Sequence, residues 1–201
     1  MIDPPKQGVA QAVRECRRAG ITTVMITGDH PDTAFAIAKR LTIAQNESEV
    51  ITGAEIDAMA ESAFFESIAQ YKVFARVSPK HKTMIVRALQ KKDNVVAMTG
   101  DGINDAPSIR TADIGIAMGV SGTDVTKSAS DMVITDDNFT TIVTAVREGR
   151  RVFSNIKKTI QFFLATNLAE VLCILAVTLV LYRFDFLTST QLLWINLITD
   201  S

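Results

Sequence analysis

Residues Val95 to Pro107 read VVAMTGDGINDAP. Val95, Val96, Ala97 and Met98 suit a buried parallel strand, and the run passes straight into Thr99-Gly100-Asp101-Gly102, a tight turn that presents a carboxylate. Asn104, Asp105 and Pro107 follow where a helix would begin. Two carboxylates about 4 Å apart repel by roughly 4 kcal/mol at an effective dielectric of about 20, so the turn invites a cation. Magnesium suits it, because that ion accepts one or two carboxylates, keeps several waters and bridges to phosphate. A lone Gly-Asp pair reads as an ordinary turn. The full TGDGINDAP string is far more specific.

A weaker copy of the phrase lies upstream. Ile21 to Ile26 is an apolar, β-branched run ending in Thr27-Gly28-Asp29, with His30-Pro31 opening the next helix. In an open parallel sheet, ligands bind beyond the carboxyl ends of the strands. Both turns are therefore expected to face one crevice and to form two walls of one phosphate site.

The alternation of strands and helices around these turns makes a parallel sheet the default. Gly8 to Arg18 has Val9, Ala10, Val13 and Cys16 at helical spacing, with Gly20 as the stop. Pro31 to Leu41 is a second amphipathic helix. Val50 to Gly53 reads as a short strand, and Ala54 to Gln70 as a broken helical stretch with Phe64, Phe65 and Ile68 turned inward. Lys72 to Val77 is strand-like, and Ser78-Pro79 starts a helix running to about Lys91 with Met84, Ile85, Ala88 and Leu89 on its core face. Lys80, His81 and Lys82 crowd its first turn. Cations are out of place at a helix N-terminus unless an anion docks there; a solvated basic face is the alternative. Ala112 to Gly119 and Asp131 to Thr135 read as further strands, separated by a short helix opened by Ser121 to Asp124. Phe139 to Arg151 is helical, and no strong breaker stops it, although Gly149 weakens it by about 1 kcal/mol.

The chain has 201 residues, a net charge of −1 and 47% hydrophobic residues, enough for one globular domain and something more. The near-neutral balance lacks the concentrated basic face of a nucleic-acid binder, so no nucleic acid partner is expected. Cys16 and Cys173 have neither disulfide-framework nor metal-ligand spacing and read as small core residues. The polar, turn-forming start Met1-Ile2-Asp3-Pro4-Pro5 shows no signal peptide and reads as a stiff hinge.

Near Lys158 the composition changes. Ile160 to Tyr182 is almost continuously apolar and spans roughly 34 Å as a helix, against a hydrocarbon core of about 30 Å. Asn167 and Glu170 lie inside it, three residues apart and on one helix face. A charge near the bilayer centre costs about 2.5 to 3.5 kcal/mol, which makes Glu170 a functional candidate. Arg147, Arg150, Arg151, Lys157 and Lys158 precede the span, and only Arg183 follows it, so residues 1 to about 158 are expected in the cytoplasm. The chain then turns over residues 183–191 and returns to the membrane over 192–201, where Asn196, Thr199 and Asp200 share a face. A second span is only begun by Ser201, and a chain end inside a bilayer leaves backbone groups unsatisfied. The reading therefore expects a fragment of a multi-pass membrane protein, in contact with membrane lipid.

TGDGINDAP, TGDHPDTA, VFARVSPKHK and WINLITD together closely resemble the P-type cation-transporting ATPases, and the membrane residues resemble the branch that includes the sarcoplasmic-reticulum calcium pump. The resemblance runs along essentially the whole chain. It implies an α/β fold: a partial haloacid-dehalogenase-like Rossmann domain with a parallel sheet, residues 1–138 being the C-terminal part of the phosphorylation domain. It further implies a helical stalk at 139–159, a transmembrane helix at 160–182, an extracytoplasmic loop at 183–191 and the start of another transmembrane helix. The aspartate phosphorylated in that family lies in a DKTGT motif, and no DKTGT occurs here. The remainder of such a pump, its actuator and nucleotide domains and other helices, would be the partner of this segment.

The resemblance also implies roles by position. Asp3, Pro4 and Pro5 resemble the hinge beside the nucleotide domain. Thr27, Gly28 and Asp29 resemble the motif that holds phosphoryl oxygens and lies near the nucleotide, ATP, and Arg76 resembles an arginine near that nucleotide. Lys82 resembles the lysine that neutralises the phosphoryl group. Asp101 would bind Mg²⁺, with Asn104 and Asp105 ordering the metal and phosphoryl group. Asn167, Glu170, Asn196, Thr199 and Asp200 resemble ligands of transported Ca²⁺, and hard oxygen donors suit such a cation. A long helix from about Phe139 through Glu170 would link the two sites mechanically. Sodium, manganese, potassium or proton remain alternative cargoes. A membrane-tethered phosphatase or phosphomutase, or a non-catalytic truncated membrane protein, remain alternative functions; without the nucleophile the 201 residues alone are expected to be inactive.

Overall fold

The structure is a computed structural model, and it describes residues 8–180 and Trp194. The chain divides into two compact units, Met1–Ala145 and Val146–Ser201.

The first unit alternates helices and strands. Helix α1 (Val9–Arg18) ends as its composition predicts: Gly20 takes φ +76°, and the N–H groups of Gly20 and Ile21 satisfy the Arg17 and Cys16 carbonyls. Strand β1 is only Met25–Ile26, shorter than the apolar run from Ile21, because ladder bonding begins where Met25 N–H meets the Lys72 carbonyl. Helix α2 (Pro31–Arg40) buries Ala34 and Ala38. Strand β2 (Val50–Thr52) passes directly into α3 (Gly53–Ala58), and α4 (Glu61–Ser67) follows after a break, as the Ala54 to Gln70 stretch suggests. Strand β3 (Val73–Ala75) is wholly buried, and α5 (Pro79–Gln90) starts at the cap residue Ser78.

Strand β4 is Ala97–Gly100, two residues later than the apolar run suggests. The Asp113 carboxylate takes the Val96 N–H at 2.8 Å, and Val95 is left 81% exposed. Helix α6 (Ala106–Thr111), β5 (Ile114–Met118), α7 (Asp124–Ala129) and β6 (Met132–Ile134) follow in order. All strand pairs are parallel, in two three-stranded sheets ordered β1-β3-β2 and β4-β5-β6. The strand and helix alternation therefore yields a parallel α/β domain, but with β1 and β4 at the edges of separate sheets rather than in one. Side chains join them: Ile26 at the end of β1 packs on the cluster of Val86, Met98 and Ile109. A second core of Ile51, Ile56, Phe64, Ile68, Phe74, Ile85 and Ala88 lies between α3, α4, α5 and the β1-β3-β2 sheet, with Phe64 and Phe74 edge to face at 6.5 Å.

Helix α8 runs Phe139–Val180, 42 residues, about 63 Å at 1.5 Å per residue. Its first turns bury Ile142 and Val143. Its most apolar 18-residue window has none of its residues buried inside the protein, with Leu164, Leu168, Val171, Leu172 and Leu175 all exposed. By length and composition it can cross a bilayer, and so large an uncovered apolar surface is unsuited to water. Cys173 is exposed on it, not a core residue as its apolar surroundings suggest, whereas Cys16 is buried.

Candidate active site

The carboxyl end of β4 and the loop after it make a compact cradle. Gly100 ends the strand against the Asp105 side chain: a Cβ there would lie 2.6 Å from Asp105 Cβ and 2.8 Å from Oδ2. Asp105 is buried, accepts the Gly102 N–H on Oδ2 at 3.4 Å, and meets Lys82 Nζ through Oδ1 at 2.5 Å. Lys82 comes from the first turn of α5, so this ion pair ties two elements together. The cationic helix start is thus matched by an anion of the protein's own, and Lys82 remains one-fifth exposed. The pair is charge-assisted, the stronger kind of hydrogen bond.

Asp101 is placed differently. Its carboxylate is exposed, with no hydrogen bond or ion pair among the described residues, while its carbonyl accepts the Thr123 N–H at 3.1 Å. Asn104 is also exposed and its side chain unpartnered among the described residues. No cluster of three His, Cys, Asp or Glu occurs among the described residues. One free carboxylate oxygen donor beside a lysine-bound one is nonetheless a donor set that fits magnesium, which needs few protein ligands when a phosphate completes its shell.

Thr123 and Thr126 are supports that the sequence reading left out. Thr126 is fully buried, and its hydroxyl donates to the Gly102 carbonyl at 3.1 Å, so α7 fixes the loop that carries Asp101. The T-x-x-T spacing announces only a helix cap, which Thr123 also provides by accepting the Thr126 N–H.

The first TGD turn stands at the end of β1. Thr27 Oγ1 accepts the Asp29 N–H at 3.1 Å, and the Thr27 and Asp29 carbonyls accept the Val77 and Arg76 N–H groups at 3.3 and 3.1 Å. Asp29 and Arg76 are therefore neighbours through the backbone, and both are exposed. Arg76 holds φ +50°, a left-handed conformation that costs a non-glycine residue roughly 1 to 3 kcal/mol. Gly28 is exposed, with nothing within 4 Å of where its Cβ would stand. Among the described residues no hydrogen bond or ion pair joins this turn directly to the Asp101 to Asp105 loop; Ile26, packed on the cluster of Val86, Met98 and Ile109, is an apolar link between the two strand ends.

His81 corrects the reading of Lys80-His81-Lys82 as one cationic face. It is 5% exposed, with Nδ1 accepting the Ser78 N–H at 3.1 Å and Nε2 at 3.0 Å from Asp57 Oδ1. It belongs to the interior, and only Lys80 and Lys82 present charge.

In α8, Asn167 is exposed, and Glu170 is half-buried with its Oε1 shut off from solvent and lacking a hydrogen-bond partner among the described residues. Asp3, Asn196, Thr199 and Asp200 lie outside the described residues.

A parallel α/β unit with a lysine-paired aspartate and a free one at its strand ends has its charged groups where open α/β sheets bind ligands. The chain belongs to the haloacid dehalogenase-like hydrolases, a family that matches residues 1–113. Its whole length is 52% identical to "Calcium-transporting ATPase 1" of Bacillus cereus and 48% identical, over 200 residues, to "Calcium-transporting ATPase" of Bacillus subtilis, covering 22% of each. Among solved structures it is similar to a zinc-transporting PIB-type ATPase in its E2.Pi state, at 29% identity and TM-score 0.68 over 98% of this chain and 26% of that one. The resemblance to P-type calcium ATPases carried by the motifs is borne out along the entire chain. The chain spans about a fifth of the length of these curated relatives.

Proposed function

We propose that these 201 residues serve an ATP-driven calcium pump, as part of its phosphorylation domain and the membrane helix that follows. The observation that carries the reading is the contrast at the end of β4: Asp105 neutralised by Lys82, and Asp101 beside it with a carboxylate that no described residue occupies.

Phosphoryl transfer asks a protein mainly for positioning and charge neutralisation. Lys82 offers a cation to the transferred group, with Asp105 holding its ammonium in place. Asp101 would hold Mg²⁺, with Asn104 beside it; the bound ion supplies charge stabilisation to the phosphoryl oxygens. Thr27 offers a hydroxyl at the end of β1, with Gly28 leaving open space for an oxygen to approach, and the exposed Asp29 and Arg76 beside it would contact the nucleotide. The phosphorylated aspartate belongs to a part of the pump outside these residues. The segment is placed in a membrane with residues up to about 158 cytoplasmic, against lipid from 160 to 182, and with the rest of the pump as its partner. Glu170 and Asn167, with Asn196, Thr199 and Asp200, offer hard oxygen ligands to the transported ion. Glu170 Oε1, shut off from solvent and unpartnered among the described residues, supports that reading, because an enclosed carboxylate oxygen without donor or cation is costly.

The test is calcium-dependent phosphorylation of the full-length pump by radiolabelled ATP. Wild type should take up phosphate only with calcium and Mg²⁺, Asp101→Ala should take up at least 100-fold less, and Glu170→Gln should lose the calcium requirement's high affinity. Phosphorylation driven by sodium would overturn the choice of ion, and normal turnover of Asp101→Ala would overturn the site.

A further inference from the structure

We propose that His81 is a positioning residue for Lys82, acting through a relay centred on its buried ring that also ties the lysine to the first TGD turn; this rests on the reading of Lys82 as the phosphoryl-neutralising cation. The relay begins at the start of α5. Ser78 caps the helix, accepting the His81 N–H at 3.4 Å on its hydroxyl, and His81 returns the bond by accepting the Ser78 N–H on Nδ1 at 3.1 Å. A ring nitrogen that accepts carries no proton, so Nε2 bears it and donates to Asp57 Oδ1 at 3.0 Å. Both nitrogens of a ring that is 5% exposed are committed, one to its own helix and one to α3.

A helix start needs no such link. Glutamate or glutamine at this position closes a capping box without reaching another element. Here the ring also lies on Gly53, the first residue of α3, where a Cβ would stand 2.9 Å from Nδ1 and 3.0 Å from Cε1. The same Cβ would stand 2.5 Å from the Arg76 carbonyl oxygen. Arg76 is the residue at φ +50° whose N–H donates to the Asp29 carbonyl. The contacts therefore run without a gap from Asp29 through Arg76, Gly53 and His81 to Ser78 and Lys82. This path connects the two turns, beside the apolar packing of Ile26, in the absence of a direct hydrogen bond among the described residues. With the ring locked, the first turn of α5 has one azimuth, and Lys82, the next residue, points at Asp105.

The experiment uses the full-length pump carrying this segment and orthovanadate as a phosphoryl mimic. His81→Ala should weaken orthovanadate inhibition on the order of tenfold with the KM for ATP unchanged, a split that general loss of fold would not produce. His81→Gln should recover most of the loss, since its amide oxygen can take the Ser78 N–H. His81→Ala combined with Lys82→Ala should be no weaker than Lys82→Ala alone, because the ring acts only through the lysine. Asp57→Ala, at an exposed carboxylate that leaves the cap intact, should give a several-fold loss in the same direction. Additive losses from His81→Ala and Lys82→Ala, or unchanged inhibition in both His81→Ala and Asp57→Ala, overturn the relay. Unchanged inhibition in Lys82→Ala overturns the role of the lysine itself, and the relay with it.

Discussion

Gly100 and Asp105 share a space that only one side chain can fill. The strand-end glycine is therefore explained by its neighbour rather than by its own backbone, since a Cβ on Gly100 meets three atoms of the Asp105 side chain at 2.6 to 2.8 Å. Gly100→Ala is predicted to push Asp105 off Lys82 and to destabilise the chain by about 1 to 3 kcal/mol, as overpacking does. Chemical denaturation in detergent would read the loss, and phosphorylation of the full-length pump should fall with it. Stability equal to wild type would mean that the loop yields freely, so that Asp105 is not held where the ion pair requires it. The need for glycine here is invisible in TGDG, where the string asks only for a turn residue with conformational freedom. The carboxylates of that loop were legible as a pair with a task. Their division into one neutralised and one free was not, because it depends on Lys82 arriving from a helix more than twenty residues away.

At the scale of elements, composition indicated the helices well and the strands less so. Ser78-Pro79 and Thr123 mark caps by their own chemistry, and both function as caps. Strand ends depend on partners. Val95 and Val96 have the residue type of β4 yet stand outside it: the Val96 N–H goes to the Asp113 carboxylate, while its carbonyl takes the Ile114 N–H at 3.2 Å, the bond at which contact with β5 begins. His81 was misread for a related reason: between two lysines it looks like charge, and only the glycine and aspartate of α3 reveal it as an interior ring. The connections between elements carry their own stabilising groups. After β5, the N–H groups of Val120 and Ser121 donate to the Asp137 carboxylate at 2.9 and 2.6 Å, joining that loop to the linker between β6 and α8. These bonds to the charged form lower the Asp137 pKa from 3.8 to about 2, the Val120 N–H first. A carboxyl group depressed in the folded state adds stability that is present above its unfolded value and fades as pH falls through its folded one. Asp137→Asn should accordingly be less stable than wild type at pH 7, and the difference should shrink between about pH 4 and about pH 2. Denaturation midpoints of the two chains across that range test this, and a difference that stays constant down to about pH 2 refutes it.

For the molecule as a whole, the telling feature is that α8 does not stop. Its first turns are packed in the α/β unit through Ile142 and Val143, and the same helix continues through Asn167 and Glu170 to Val180. The sequence of α8 shows why, for residues 139–180 contain no proline and only Gly149 as a weak point, and that glycine stands in open space. A helix held by its own hydrogen bonds transmits both rotation and displacement along its axis, whereas a flexible joint transmits neither. If the pump couples phosphoryl chemistry to ion release through this element, stiffness should matter apart from register. Two residues inserted after Phe153, which is 70% exposed, advance everything beyond by about 3 Å and about 200° whatever they are. Gly-Gly adds roughly 2 kcal/mol of helix-breaking tendency, and Ala-Ala adds none. Gly-Gly should therefore leave ATP hydrolysis running with calcium transport largely lost. Ala-Ala, with its register equally wrong and its stiffness kept, should depress hydrolysis and transport together. The ratio of calcium moved to ATP hydrolysed in sealed vesicles distinguishes the two. Equal ratios in the Gly-Gly, Ala-Ala and wild-type pumps would show that the coupling does not pass through α8.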